Sequence, residues 1–224
     1  MKPNVAEMME RADALYAARH DVRQVRLSVE LLDAALAHSF NYELAWRSGR
    51  ALFFLGQEAE GKAEARSQHV RGAKVCEEAV RARGERVEGH FWLGVNLALL
   101  AALENPFAAL GLILRARRHL KRAIALDAAY HGAGPLRVLA RIEAKLPSLL
   151  GGGFNVARAN FEKAIALAPA NTVTRLYYAE LLLAAGDLTS SRTQLEALLA
   201  APPDPAWAFE TTRDRRLAQA MLKR

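Results

Sequence analysis

The residues that could carry out catalysis in this chain do not fall into a catalytic pattern. Three glycines at 151–153 precede a helical stretch, but no Lys-Ser or Lys-Thr pair follows them to hold a phosphate and its metal ion. Ser148 lacks the glycine neighbours of a nucleophile elbow. The six histidines are scattered, and none forms an HExxH pair or joins a cysteine at metal-ligand spacing. The sequence therefore predicts no enzyme, no cofactor and no metal site.

A dense run of basic residues lies near the middle of the chain, at 115–122. No aromatic residues alternate with these cations, as they do in proteins on which single-stranded bases stack. A solvated helix surface is therefore the favoured interpretation, and nucleic acid is not the expected partner. The formal net charge of +7 still permits binding to acidic peptides, nucleic acid or anionic lipid.

A second group of chemically useful side chains recurs at helical spacing. Steps of about four, seven and eight residues return to the same side of a helix, and by this rule aromatic and apolar residues share a face with cations. Guanidinium groups in an apolar groove suit carboxylates, because they form paired, charge-assisted hydrogen bonds. We therefore predict a groove that binds a protein partner, such as an acidic peptide. The predicted contacts are Trp46, Arg50, Phe53, Phe54, Phe91, Val95, Arg137, Arg141 and Lys145.

The alternative for this face is that the chain itself covers it. Three helical hairpins contain inserted residues, and these segments or the C-terminal helix could fold over the groove and make it core. The arginines would then lie in internal ion pairs. The sequence leaves both alternatives open.

The elements that position these residues are repeated helix pairs. Small residues stand at Ala179 and Ser191, and large apolar ones at Leu182 and Leu198. This is the pattern of a tetratricopeptide repeat, a unit of about 34 residues in which two helices pack closely and bury an apolar face against the next repeat. Four earlier segments carry the same pattern. The sequence predicts an all-α, tetratricopeptide-like solenoid of about five helix pairs plus a C-terminal capping helix, as a single domain over residues 1–224.

The inserted residues of repeats 2 and 3 differ in character. Residues 57–71, QEAEGKAEARSQHVR, are charged and helix-prone, and they predict an N-terminal extension of a second helix. Residues 104–113, ENPFAALGLI, are apolar and are not needed to fill a standard repeat core. Packing is the favoured interpretation of this segment, and a pocket or partner surface is the alternative. The predicted contacts of an apolar ligand are Phe107, Leu110, Leu112 and Leu114.

Two features of the sequence bear on membranes and location. Residues 91–114 are apolar, but Asn96, Glu104 and Pro106 interrupt them, so a buried helix–turn–helix is expected rather than a membrane span. The N-terminus has no apolar core before a small-residue cleavage site. We therefore expect a cytoplasmic location for the chain as it stands, and a periplasmic one if a lipoprotein leader was removed before residue 1.

Four motifs follow one another in an order that resembles the T-component family of bacterial tripartite ATP-independent periplasmic (TRAP) transporters. They are WLG at 92–94, GPLRVL at 134–139, LPSLLGGG at 146–153 and ARANFEKAI at 157–165. The resemblance covers about two thirds of the chain. It implies a helical, tetratricopeptide-like partner of a periplasmic solute-binding protein, and a homo-oligomer with an internal pore for apolar ligands. The alternative function is therefore an accessory component of a TRAP-type transporter that binds a small apolar ligand.

Overall fold

The structure, a computed structural model, describes residues 4–223 and confirms the all-α prediction. These residues form eleven α-helices and two short 3₁₀ helices, with no strand. The α-helices are α1 Val5–Ala17, α2 Val22–His38, α3 Tyr42–Gln57, α4 Lys62–Ala82, α5 Val87–Ala101, α6 Pro106–Asp127, α7 Tyr130–Lys145, α8 Phe154–Leu167, α9 Thr172–Ala184, α10 Leu188–Ala200 and α11 Ala208–Leu222.

The helices belong to two compact units, one ending at Leu126 and the other beginning at Asp127. Unit 1 contains α1–α6, and unit 2 contains α7–α11. Consecutive helices pack together from α1 to α5 and from α7 to α11, and α5 lies against α6 where Gly94 approaches Leu120. The single continuous domain over residues 1–224 stays a prediction.

Short polar side chains cap the start of several of the helices. Asn4, Asp21, Asn41, Asn171 and Asp187 each precede a helix and accept a hydrogen bond from a backbone N–H of its first turn. These N–H groups have no partner inside the helix, so each cap contributes about 1 kcal/mol. The caps therefore fix where the helices begin.

The small residues of the repeat pattern lie where paired helices approach most closely. A Cβ on Gly49 of α3 would stand 2.1 Å from the Sγ of Cys76 on α4. A Cβ on Gly94 of α5 would stand 2.8 Å from the Cγ of Leu120 on α6. Cys76 is fully buried, as predicted, and its burial raises the pKa of the thiol. The small-residue markers are thus confirmed as close-contact positions.

Both inserted segments extend second helices. The charged segment begins α4 at Lys62, as predicted, and the apolar one begins α6 at Pro106. The packing interpretation is wrong for most of the apolar segment, since Phe107 is 94% exposed and Leu110 and Leu114 are exposed as well. The expected helix–turn–helix at 91–114 is confirmed by α5 and α6, but its expected burial is wrong for the α6 half, where Phe107, Leu110 and Leu114 are exposed. Among the described helices, none is both long enough and apolar enough to cross a bilayer.

The last helix closes unit 2. Ala218 of α11 packs on Leu176 and Ala179 of α9 and on Leu195 and Leu198 of α10. Helix α11 thereby covers an apolar face that a repeat cannot bury alone, which is the role expected of a capping helix.

Candidate functional site

Most of the predicted aromatic contacts in unit 1 belong to its core. Trp46, Phe54, Phe91 and Val95 are between 2% and 8% exposed. The ring centroid of Phe91 lies 4.7 Å from that of Trp92, so this ring packs against its own chain neighbour. Four of the predicted contacts are therefore held inside the unit.

Arg50 and Phe53 reach the surface of α3 in part, and we call this pair the α3 edge. The guanidinium carbon of Arg50 lies 4.1 Å from the Tyr16 ring centroid and 5.3 Å from that of Trp46. Its Nη2 donates to Asp13 Oδ1 at 2.5 Å. Two aromatic faces and one carboxylate thus fix the cation in place.

The hydrogen bonding of Arg50 is incomplete. Its Nε is buried and has no hydrogen-bond partner among the described residues. Asp13 is shared with Arg47, whose Nε donates to Asp13 Oδ2 at 3.0 Å and whose Nη1 donates to Glu43 Oε2 at 2.9 Å. One carboxylate therefore accepts hydrogen bonds from two guanidinium groups, so the N–H donors at the α3 edge outnumber the acceptors.

Arg137 in unit 2 has a different environment. It is 4% exposed, and its Nη1 donates to three neutral oxygens: the carbonyl of Gly132 at 2.9 Å, Asn171 Oδ1 at 3.2 Å and Thr174 Oγ1 at 3.1 Å. The guanidinium carbon also lies 5.6 Å from the Trp207 ring centroid. Burial lowers the pKa of Arg137 to about 10, so the group stays charged at neutral pH.

The Gly132 carbonyl belongs to a strained turn at the start of α7. His131, Gly132 and Ala133 have φ angles of 53°, 60° and 57°. These values lie in the left-handed region, which residues other than glycine rarely adopt. Arg137 binds the carbonyl in the middle of this turn. Its hydrogen bonds therefore tie the turn to the first residues of α9, and Arg137 is a structural residue.

Arg141 and Lys145 follow Arg137 along α7. Arg141 forms an ion pair with Glu180, and its guanidinium carbon lies 4.0 Å from the Tyr177 ring centroid. Lys145 is exposed. Two of the predicted arginines, Arg50 and Arg141, thus lie in ion pairs within their own unit, as the alternative interpretation of this face expected.

A histidine pair joins α5 to α6 in unit 1. The Nδ1 atoms of His90 and His119 are 2.9 Å apart, and His90 Nε2 is 3.1 Å from the carbonyl oxygen of Gly84. Because that carbonyl only accepts, His90 Nε2 donates to it and His119 Nδ1 donates to His90. Burial lowers both pKa values. Burial, together with the nearby charges of His90, Arg118 and Arg115, lowers the pKa of His119 to about 4.

The residues predicted to bind an apolar ligand all lie on α6. Phe107 is 94% exposed, Leu110 and Leu114 are 42% and 44% exposed, and Leu112 is half-buried. A ligand contact at these residues stays a prediction.

Unit 2 contains a shallow cleft of about 330 Å³ between α8, α9 and α10. The hydroxyl of Tyr178 donates to Glu162 Oε1 there at 3.0 Å, and Arg158 Nε donates to the same oxygen at 2.8 Å. Burial and this carboxylate raise the pKa of Tyr178 to about 12. These three polar side chains of the cleft are therefore engaged with one another.

Sequence reasoning missed the residues that hold the predicted arginines. Asp13 lies 37 positions before Arg50, and Asn171 lies 34 positions after Arg137. Both separations are within about one helical turn of a repeat length, so each partner belongs to the neighbouring repeat. Searching for a carboxylate or amide about one repeat away from each arginine, with a tolerance of one helical turn, would have found both.

The model of the TRAP transporter T-component family matches residues 43–224. The chain belongs to the TRAP transporter T-component family. The match spans most of both units, so the T-component resemblance inferred from the four motifs is confirmed. No curated protein matches the chain.

Solved structures place this T-component chain among tetratricopeptide-repeat folds. TTC0263, a thermophilic TPR protein of Thermus thermophilus, is similar at a TM-score of 0.70 and 20% identity, with 93% of this chain and 97% of that one covered. The structure titled MamA MSR-1 C2 is similar at a TM-score of 0.50 and 13% identity, covering 84% and 93%. Identities this low show the fold alone.

Proposed function

We propose that this chain is a non-enzymatic scaffold that binds a protein partner through the inner face of its first helices, as an accessory of TRAP-type solute uptake. The family supports a role beside a transporter, and the tetratricopeptide-like fold supports protein binding. The partner that fits both is the periplasmic solute-binding protein of a TRAP system, contacted through an acidic patch.

The α3 edge carries this proposal. Arg50 is held by Tyr16 and Trp46 and shares its carboxylate with Arg47. Because these contacts fix its orientation before a partner arrives, little side-chain entropy is lost on binding. Phe53 adds an apolar surface beside the cation. A fixed guanidinium next to an aromatic ring is typical of residues that dominate protein interfaces.

The test measures the affinity of the purified chain for the purified solute-binding protein of a TRAP system from the same genome. The variant is Arg50→Gln/Phe53→Ala. Its matched control is Arg81→Gln/Val70→Ala, which removes the same kinds of groups from the exposed surface of α4. Circular dichroism shows whether both variants remain folded.

We expect the α3-edge variant to bind at least about tenfold more weakly, and the control within about twofold of wild type. The wild-type affinity should also fall as salt is added, because the contact involves a cation. Equal affinities of the two variants would refute the α3 edge as the contact. Absence of binding by the wild type would refute this partner.

A further inference from the structure

One side of α6 is exposed along most of the helix. Residues three, four or seven positions apart lie on the same side of a helix, and the residues of this exposed side have that spacing. Ala116, Leu120 and Ala123 lie on the opposite side and are fully buried. We call the exposed side the outer stripe; its members are Phe107, Leu110, Leu114, Arg118, Lys121 and Arg122.

The first half of the outer stripe is apolar and stands out from the unit. Phe107 is 94% exposed, and Leu110 and Leu114 are each more than 40% exposed. A Cβ added to Gly111, between them, would meet nothing within 4 Å. These side chains therefore project singly rather than lining a groove.

The second half of the outer stripe is cationic, because it stands at the end of an ion-pair ladder. Asp33 of α2 bonds Arg71 of α4, and Glu77 of α4 bonds Arg115 of α6. In α2 and α4, each of these carboxylates directly follows a buried core residue. At the equivalent position of α6 the residue is Lys121. The ladder thus ends on a helix that carries a cation where the two preceding helices carry an acid.

No carboxylate of α6 neutralises this end. Asp127, its last residue, is the only Asp or Glu in the helix. Within the part of the chain that the structure describes, Arg118, Lys121 and Arg122 form no ion pair. Three uncompensated cations therefore follow three projecting apolar side chains on one surface.

We propose that the outer stripe of α6 binds the surface of an anionic lipid bilayer. Lipid phosphates complement the three cations, and the apolar residues enter the boundary between headgroups and acyl chains. The rise of about 1.5 Å per residue separates the centres of the two halves by about 15 Å, so both halves contact one bilayer surface. The helix lies on the membrane and does not span it.

A bilayer suits this surface better than a folded protein does. A protein partner needs a pocket shaped for a ring that projects as far as Phe107, whereas a bilayer deforms around it. The matching of positive protein charge with anionic headgroups also requires no particular arrangement of the cations.

The experiment measures flotation of the full chain with vesicles. One preparation contains only phosphatidylcholine, and the other contains about 30% phosphatidylglycerol to supply negative charge. The charge variant is Arg118→Gln/Lys121→Gln/Arg122→Gln. Its matched control is Lys163→Gln/Arg192→Gln/Arg216→Gln, which removes three exposed cations from helices of unit 2. The apolar variant is Phe107→Ser, and its control is Leu149→Ser, at a residue that is 97% exposed in unit 2.

We expect the wild type to bind the anionic vesicles and not the neutral ones, and to dissociate at high salt. The charge variant should partition about 100-fold more weakly and Phe107→Ser about tenfold more weakly, with both controls near wild type. Failure of the wild type to bind anionic vesicles at low salt would overturn the proposal. Equal losses in the α6 variants and their controls would do so as well. A Phe107-dependent dimer in light scattering, without vesicle binding, would assign the stripe to a second copy of the chain.

Discussion

Arg50 and Arg137 are both inner-face arginines on first helices, yet their surroundings differ. Arg50 faces a carboxylate and two aromatic rings and is partly exposed. Arg137 faces three neutral oxygens and is 4% exposed. Residue type and helical position alone therefore do not predict whether an arginine is buried or partly exposed.

The two arginines differ in the hydrogen-bond acceptors that surround them. Asp13 holds Arg50 from one side, and the buried Nε of Arg50 has no hydrogen-bond partner among the described residues. The carbonyl of Gly132 belongs to a left-handed turn that needs a donor, and Arg137 supplies it from inside the unit. Removing each arginine should thus affect different properties.

The largest effect is expected from Arg137→Met. It removes the donor of three buried oxygens and a cation near Trp207, and we expect a loss of about 3 kcal/mol in the free energy of unfolding. Urea denaturation measures the loss, and amide hydrogen exchange in α7 and α9 locates it. Exposed Lys145→Met is the control and should stay within about 0.5 kcal/mol of wild type. A loss below about 1 kcal/mol would mean that Arg137 is not structural.

Acidification should sharpen the comparison, because the histidine pair of unit 1 and the buried Asp214 of unit 2 respond in opposite senses. The pKa values of His90 and His119 are lowered from 6.5, so the folded state favours neutral imidazoles. Their contribution is complete above pH 6.5 and decreases as the pH falls towards 4, by about 2 kcal/mol in total. Burial raises the pKa of Asp214 in unit 2, so its protonation is favoured in the folded state and does not destabilise that unit.

Urea unfolding at neutral pH and near pH 4.5 measures this dependence, with hydrogen exchange in α5 and α6 as the local probe. His119→Gln keeps a donor to His90 but does not titrate, so the acid loss should shrink. His38→Gln, at an exposed position, should leave it unchanged. If the wild type, His119→Gln and His38→Gln all lost the same free energy of unfolding on acidification, the role of the histidine pair would be contradicted.

A smaller effect on stability is expected from Asp13→Asn. Its side chain is 39% exposed, so the loss of its ion pairs with Arg47 and Arg50 should cost only about 0.5–1 kcal/mol. Binding should weaken as well. Asp13 helps to fix the orientation of Arg50, so the variant should bind the solute-binding protein about threefold more weakly. Tighter binding would show that Asp13 competes with the partner for Arg50 instead of positioning it.

The smallest effect is expected from exchanging the charges of Arg141 and Glu180. Their side chains are 38% and 42% exposed, and solvent screens a pair of this kind. The free energy of unfolding of Arg141→Glu/Glu180→Arg, measured in urea, should therefore lie within about 0.5 kcal/mol of the wild-type value. A loss comparable with that of Arg137→Met would show that exposure does not rank these arginines.

The sequence predicts the helix pairs well because their signals are local. Ala12, Cys76, Leu120 and Leu198 occupy repeat positions, and each is fully buried. A small or large residue at such a position packs against the neighbouring helix whatever lies farther away. The same reasoning predicts the extension of α4 from the charge and helix propensity of its first residues.

The sequence predicts the candidate site less well, because burial depends on several helices at once. Helical spacing places Trp46 and Phe91 on the inner face, but the surrounding helices of unit 1 cover both rings. The structural role of Arg137 depends on the left-handed turn and on Trp207, which lies 70 positions away. For Phe107 the apolar character predicts packing, whereas its place on a helix extension leaves it exposed.

The most direct test of partner binding replaces Phe53 with the photo-reactive residue benzoylphenylalanine and irradiates the chain with the purified solute-binding protein. Leu149, which is 97% exposed in unit 2, takes the same replacement as the control. We predict a cross-link from position 53 that Arg50→Gln weakens, and none from position 149. A cross-link from position 149 without one from position 53 would contradict binding through the α3 edge.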